Sequence, residues 1–239
     1  MTEPGTVSEG PIAVVGTDTG VGKTVVTAGL VSRLREYGLD ARAIKPAQTG
    51  YPPDDDAGFV ADACADPDAA TCPRYLEPAL APRAAAEAAG EELTYEAIRT
   101  ACEDAIAEAG VPVVEGIGGL RVPLAGDREV IDLVADLEAT AVVVTRSGLG
   151  TLNHTALSIE ALERRGVAIA GVVCNEYAAE TVAERTNPDA LERMTGYDVE
   201  TVPPLAGETP AELAAGVADA LPDEFLEAIA IDGPAADDR

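Results

Sequence analysis

The chain has 239 residues, 43 of them acidic and 16 basic, giving a formal charge of −27 and a pI near 4.1. No basic stripe exists to displace counterions from a nucleic-acid backbone, which excludes that class of partner. No apolar run approaches the ~20 residues needed to span a bilayer, so we also exclude an integral membrane protein.

Residues 1–10 are polar, contain glycine and proline, and lack the charged-then-apolar pattern of a secretory leader. We expect a flexible start to a cytoplasmic protein. Ile12–Val15 is a β-branched run ending at Gly16, as in a strand covered on both faces. From Thr24 onward Val26, Leu30, Val31 and Leu34 recur at helical spacing. Ala41–Ile44 predicts a second short strand, and Gly50–Gly58, with Pro52-Pro53-Asp54-Asp55-Asp56, reads as a loop. Tyr95, Ile98, Cys102, Ala105, Ile106 and Ala109 line one helix face behind a cap at Thr94. Val111–Val114, Ala141–Thr145 and Val167–Cys174 are further strands, with a helix near Leu152–Arg165. Asn187-Pro188 and Thr209-Pro210-Ala211-Glu212 both read as helix starts, the second a capping box with proline at the first helical position.

Apolar strands alternating with helices predict a single three-layer α/β domain over residues 11–230, with a mostly parallel sheet and helices on both faces. We expect residues 231–239 to be a disordered acidic tail. Cys64, Cys72, Cys102 and Cys174 show no Cys-x-x-Cys pairing, so they read as small hydrophobes in a reducing compartment. The acids are spread along the chain rather than blocked. At molar salt the Debye length falls to about 3 Å, which screens such self-repulsion. The composition therefore predicts a protein adapted to a salt-rich cytoplasm.

Only two lysines occur, Lys23 and Lys45; every other basic residue is arginine. Lys23 lies in Gly16-Thr17-Asp18-Thr19-Gly20-Val21-Gly22-Lys23-Thr24, between a strand and a helix. That context is a phosphate-binding loop of the P-loop NTPase kind. Backbone N–H groups of Thr19, Gly20, Val21, Gly22, Lys23 and Thr24 point at phosphates there, aided by the helix N-terminus. Lys23 bridges the outer phosphate oxygens, and the Thr24 hydroxyl is placed to ligate Mg²⁺. Gly16 stands one residue further from Gly22 than the common loop pattern requires.

The long glycine spacing resembles that of the dethiobiotin synthetase family. Lys45-Pro46-Ala47-Gln48-Thr49-Gly50, Glu115-Gly116-Ile117-Gly118-Gly119-Leu120, Leu149-Gly150-Thr151-Leu152-Asn153-His154 and Asn175 resemble further family segments in the same order. The resemblance covers residues 12–205. It implies an ATP- and Mg²⁺-dependent cyclo-ligase that closes a ureido ring on 7,8-diaminopelargonate with CO₂. One amine captures CO₂ as a carbamate, the carbamate attacks the γ-phosphate, and the second amine displaces phosphate from the mixed anhydride. Lys23, Lys45 and Thr49 are then the catalytic residues, the lysines holding carbamate and γ-phosphate together. Thr24, Asp56 and Glu115 would hold Mg²⁺, with Asp54 or Asp55 as substitutes for Asp56. Asn175, Pro203 and Leu205 would bind the nucleotide base. Gly118 and Gly119 would admit the substrate closely, and Thr151, Leu152 and Asn153 would bind its carboxylate near a homodimer interface.

Asn153 reads equally as a helix cap, and His154 as a packed side chain. Some family members carry an acid where this chain has Gly20. Two other readings share the loop. A partition or positioning ATPase would place a signature lysine where Asp18 stands, and a cobyrinate amidating synthetase needs a glutaminase half for which one histidine leaves no room.

Overall fold

The computed structural model describes residues 10–230. Apart from Gly10, the expected flexible start and the acidic tail lie outside the described residues.

The chain opens with β1 (Ile12–Gly16), the glycine-rich turn and α1 (Lys23–Glu36), followed by β2 (Ala41–Ile44) and the two-residue β3 (Gln48–Thr49). Next come α2 (Asp56–Cys64), a 3₁₀ turn at Pro67–Ala69, β4 (Ala70–Thr71), β5 (Tyr75–Leu76), α3 (Pro82–Ala89) and α4 (Tyr95–Glu108). The middle of the chain supplies β6 (Val111–Gly119), β7 (Pro123–Ala125), β8 (Arg128–Glu129) and α5 (Val130–Asp136). The last third alternates β9 (Thr140–Arg146), α6 (Thr151–Arg164), β10 (Ala168–Asn175), α7 (Val182–Thr195) and β11 (Val199–Thr201). It closes with α8 (Pro210–Ala220) and α9 (Asp223–Ala230).

Seven strands form one sheet in the order β11-β10-β9-β1-β6-β2-β4, and every pairing in it is parallel. Val14 sits at the centre, opposite Val142 on one side and Glu115 on the other. Alternate residues of β1 enter opposite layers, as a strand's period of two requires. Ile12 and Val14 join the core built with α1, α8 and α9, including Leu30, Leu34, Val217 and Leu226. Ala13 and Val15 face the other way, against Ile131, Ile159, Leu162 and Leu191 of α5, α6 and α7. Burying each such aliphatic side chain stabilises the fold by about 1.5–3 kcal/mol, so Val14→Asp would break both the sheet centre and the site beside it.

Several expectations hold at the level of caps. The Thr94 side chain accepts from the Ala97 N–H at 3.2 Å, and Thr209 forms a reciprocal box with Glu212 ahead of Pro210.

Others need correction. The Asn187-Pro188 helix start is overturned: α7 begins five residues earlier, behind a Thr181–Glu184 capping box, and Pro188 lies inside it. The box, at about 1 kcal/mol, sets where the helix starts but does not by itself offset an interior proline at about 3 kcal/mol. The buried Asn187 and Leu191 on either side of Pro188 anchor the helix across it. Asn187 is buried instead, its side-chain amide donating to the Ser147 and Gly148 carbonyls at 2.8 and 3.1 Å. The Gly50–Gly58 loop ends early, because the Asp55 carboxylate accepts the Gly58 N–H at 2.9 Å and starts α2. The strand expected at Val111–Val114 continues to Gly119, which carries Glu115 to the mouth of the sheet. No helix among the described residues is long and apolar enough to cross a membrane.

Candidate active site

In a parallel sheet, ligands gather at the carboxyl ends of the strands where the order reverses. Here β1 is that point, with β2 and β10 reached in opposite directions. The turns after these strands surround a cleft of about 520 Å³.

The loop after β1 delivers Lys23. Gly22 takes φ 95° as the N-cap of α1, a left-handed conformation that glycine adopts without strain. A Cβ there would stand 2.0 Å from Nδ2 of Asn175. That amide donates to the Val21 carbonyl at 3.0 Å, so β10 holds the loop in place. Lys23 is buried and donates to the Asp18 carbonyl at 3.0 Å. Burial, then the Lys45 charge, lowers its pKa from 10.5 to about 8.

Lys45, just beyond β2, is equally buried but differently surrounded. Its ammonium lies 2.7 Å from Oε1 of Glu115 and 2.5 Å from Oδ2 of Asp56, and donates to the Gly116 carbonyl at 3.3 Å. Burial alone would depress the Lys45 pKa, but Glu115 and Asp56 hold it above the ordinary lysine value. Asp56 is correspondingly held below the usual carboxylate range by Lys45, against the opposing effect of burial. Thr24 donates to the same Glu115 oxygen at 2.9 Å. Asp56 reaches the cluster because its N–H donates to Oε1 of Gln48 at 3.1 Å, tying the start of α2 to β3.

Two carboxylates and a hydroxyl therefore converge beside the phosphate loop. Among the described residues no group of three His, Cys, Asp or Glu gathers to make a closed metal cage. An all-oxygen set with few protein ligands fits Mg²⁺, which keeps waters and phosphate oxygens as its remaining ligands.

The cleft is lined by Thr19, Gly20, Gly22, Lys23, Thr24, Lys45, Thr49, Asp56, Glu115, Gly118, Asn175, Pro203 and Leu205. Val21 is not in that lining; its side chain is buried in the core and its carbonyl accepts from Asn175. Gly119 faces a neighbouring cavity of about 380 Å³ that shares Thr19 with the cleft. Thr151 is buried, Leu152 packs against the second core cluster, and Asn153 and His154 are exposed on the first turn of α6. Asn153 is not the cap of that helix, since Gly150 occupies the position. Asp54 lines the cleft, whereas Asp55 is occupied as the cap of α2. Among the lining residues that sequence reasoning missed are Gln48, Ile117, Glu176 and Leu213. Gln48 stood inside the second lysine motif and Ile117 inside the Glu115–Leu120 segment; Glu176 and Leu213 carry no local signal.

A protein-family description, "AAA domain", matches residues 11–212. Among solved structures, the septum site-determining protein MinD complexed with Mg-ADP from Pyrococcus horikoshii OT3 superposes with a TM-score of 0.56 at 17% identity, covering 91% of this chain and 93% of that one. The cell division ATPase MinD of Pyrococcus furiosus gives 0.52 at 17% identity, over 88% and 97%. These likenesses concern the fold. An ATP-dependent dethiobiotin synthetase BioD of Haloferax mediterranei is 61% identical over 212 residues, 89% of this chain and 91% of its own length. Proteins of the same name from Anaeromyxobacter sp. (strain K) and Mycobacteroides abscessus are 44% and 43% identical, over 76% and 81% of this chain and 84% and 86% of their own. With that identity across nearly the whole of both chains, the protein belongs to the ATP-dependent dethiobiotin synthetase family.

Proposed function

We propose that this protein carboxylates 7,8-diaminopelargonate and closes the ureido ring of dethiobiotin, converting ATP to ADP and phosphate. The observation that carries the reading is the placement of both lysines of the chain in one cleft, one on the phosphate loop and one between two carboxylates. The reaction gathers anionic oxygens at every step, so fixed cations and N–H donors are what it requires. One amine of the substrate adds to CO₂ and loses a proton, leaving a carbamate. A carbamate oxygen attacks the γ-phosphorus of ATP and ADP departs. The neighbouring amine then attacks the carbamoyl carbon, and phosphate leaves with the bonding electron pair.

In this reading the Lys23 ammonium, which touches no carboxylate oxygen in the described contacts, receives the phosphate oxygens. Lys45 neutralises Asp56 and Glu115, which would otherwise repel both each other and the incoming anions. Thr49 orients the carbamate by hydrogen bonding, and Gly118 lets the substrate approach the backbone. Asn175, Pro203 and Leu205 seat the base. Thr24, Asp56 and Glu115 would hold Mg²⁺, which when bound neutralises charge developing on the transferred phosphoryl group. Thr151, Leu152 and Asn153 lie on the first turn of α6, away from the cleft lining, and so would serve the site of a second copy in a homodimer. We further propose that the enzyme works in a salt-rich cytoplasm, on the strength of the −27 charge.

Phosphate release from ATP and Mg²⁺, measured with and without diaminopelargonate and bicarbonate, tests the reaction. Release should require both. Release independent of both would overturn it.

A further inference from the structure

Thr145, near the end of β9, is the hub of a buried hydroxyl cluster joining the phosphate loop to the start of α6. Thr145, Thr151 and Thr155 are 1%, 4% and 0% exposed. The Thr145 oxygen lies 3.1 Å from that of Thr17 and 2.8 Å from that of Thr151. Thr155 donates to Thr145 at 3.0 Å, and the oxygens of Thr151 and Thr155 are 3.4 Å apart.

Each hydroxyl has one proton and two acceptor sites. Thr155 uses its proton on Thr145, so Thr151 must donate to Thr155. Thr145 must then donate to Thr151, and Thr17 to Thr145. One arrangement alone satisfies all four contacts, and in it Thr145 accepts twice and donates once. The same strand ties the loop at two more points. The Thr17 N–H donates to the Val144 carbonyl at 3.0 Å, and Nη2 of Arg146 donates to the Thr19 carbonyl at 3.1 Å. Thr19 is the residue shared by the main cleft and the cavity that Gly119 faces. Thr145 thus holds the loop arm leading to that shared residue and, through Thr151, the first turn of α6.

We propose that Thr145 is a positioning residue: its hydroxyl fixes the outer arm of the phosphate loop against the first turn of α6, coupling nucleotide occupancy to that helix. Where it touches catalysis the inference rests on the reaction proposed above. A cluster that only supports packing would make each buried hydroxyl equivalent. A coupling device makes Thr145 and Thr17 special and Thr155 dispensable, because the path Thr17–Thr145–Thr151 survives loss of Thr155.

The test compares Thr145→Val, Thr17→Val and Thr155→Val by amide hydrogen exchange, with ADP and Mg²⁺ as the probe. In the unaltered protein, nucleotide should slow exchange over residues 151–155 by about fivefold or more. Thr155→Val should keep that response, Thr145→Val and Thr17→Val should lose it, and Thr145→Ser should restore it. Turnover at saturating substrates should fall about tenfold in Thr145→Val, with the KM for ATP within about threefold of the original. Should Thr145→Val fail to fold, Thr17→Val, at the half-buried end, decides the matter alone. No response in the unaltered protein, or equal losses in the Thr145 and Thr155 variants, would overturn the proposal. The exchange measurement uses nucleotide only, so it decides this point whether or not phosphate release proves to depend on diaminopelargonate and bicarbonate.

Discussion

Lys23 and Lys45 share a cleft and a degree of burial, yet their charges are compensated in opposite ways. Lys23 is held by a backbone carbonyl, and burial drops its pKa to about 8. Lys45 lies between two carboxylates that hold its pKa up. A buried charge without a counter-ion is costly, whereas one among fixed partners costs more to remove than to keep. The difference separates an ammonium that waits for an anion from one that is already part of the protein's own charge balance.

Substitution with arginine should produce the largest effect and treat both lysines alike. Lys23→Arg and Lys45→Arg should each lower turnover by about 10²-fold or more, the first because a planar fork fits a compact phosphoryl centre poorly, the second because the larger group would displace Asp56 and Glu115 from their buried contacts. Near-normal steady-state turnover of either variant would show that charge suffices there. Substitution with methionine should then split the pair. Lys45→Met leaves Asp56 and Glu115 facing each other and should cost about 3–5 kcal/mol in denaturant unfolding. Lys23→Met removes a buried charge whose burial outweighs the attraction of Glu115, Asp56 and Asp18, and should leave stability unchanged or raise it, by up to about 3 kcal/mol. Equal losses in the two methionine variants would erase the distinction. Adding Glu115→Gln to Lys45→Met should recover part of the loss, since the second change removes one of the stranded charges.

The carboxylates around Lys45 offer a finer test. Asp56→Asn and Glu115→Gln should each raise the Mg²⁺ concentration needed for half-maximal phosphate release by at least about tenfold. An unchanged Mg²⁺ titration in both variants would remove the metal assignment and leave these acids as partners of Lys45 alone.

These contrasts also mark what a linear reading could reach. The central strands were legible because Ile12–Val15, Ala141–Thr145 and Val167–Cys174 are apolar runs of the kind a doubly covered sheet demands. The Thr94 and Thr209 caps were legible from side chains that compete for helix N–H groups. Four short helices, α2, α3, α5 and α9, were not. The α2 segment Asp56–Cys64 and the α3 segment Pro82–Ala89 are rich in alanine, with few large side chains to mark a face. At α7 the Asn187-Pro188 pair is a louder sequence signal than the Thr181–Glu184 box that starts the helix. Within the cleft, the loop residues followed from strand, glycine and lysine spacing, whereas Asp56 and Glu115 came only through family resemblance. Their meeting at Lys45 joins positions 70 residues apart and depends on β2 lying beside β6. The hydroxyl hub at Thr145 had no local signal, because threonine in an apolar strand is ordinary.

The cleft and the surface give a second contrast, tested by salt. Surface ion pairs such as Arg99–Glu103 are exposed, and pairs of that kind contribute about 0.3–0.5 kcal/mol. That is too little to offset the repulsion of a −27 chain. Between about 0.1 and 2 M KCl the Debye length shrinks from ~10 Å to below 3 Å, so the thermal midpoint should climb steeply over that range. Contacts of Lys23 and Lys45 inside the cleft are less screened, so ATP affinity should fall only modestly. A midpoint that is flat with KCl, or highest in dilute buffer, would refute adaptation to salt.

The smallest expected effect separates neighbours in the acidic run. Asp55 caps α2 through its bond to the Gly58 N–H, while Asp56, the next residue, contacts Lys45. Replacing an N-cap by alanine removes one acceptor from the exposed end of a helix, a loss of about 1 kcal/mol. Asp55→Ala should therefore lower stability by that amount and leave the Mg²⁺ requirement where it was. Asp55→Asn should be nearly silent in both measurements, because asparagine caps as well as aspartate. The pair of substitutions distinguishes geometry from charge at one position. If Asp55→Asn shifted the Mg²⁺ titration while Asp56→Asn did not, the metal ligand would be one residue earlier. Asp55 would then cap α2 with the oxygen that accepts the Gly58 N–H and offer its other oxygen to the cation.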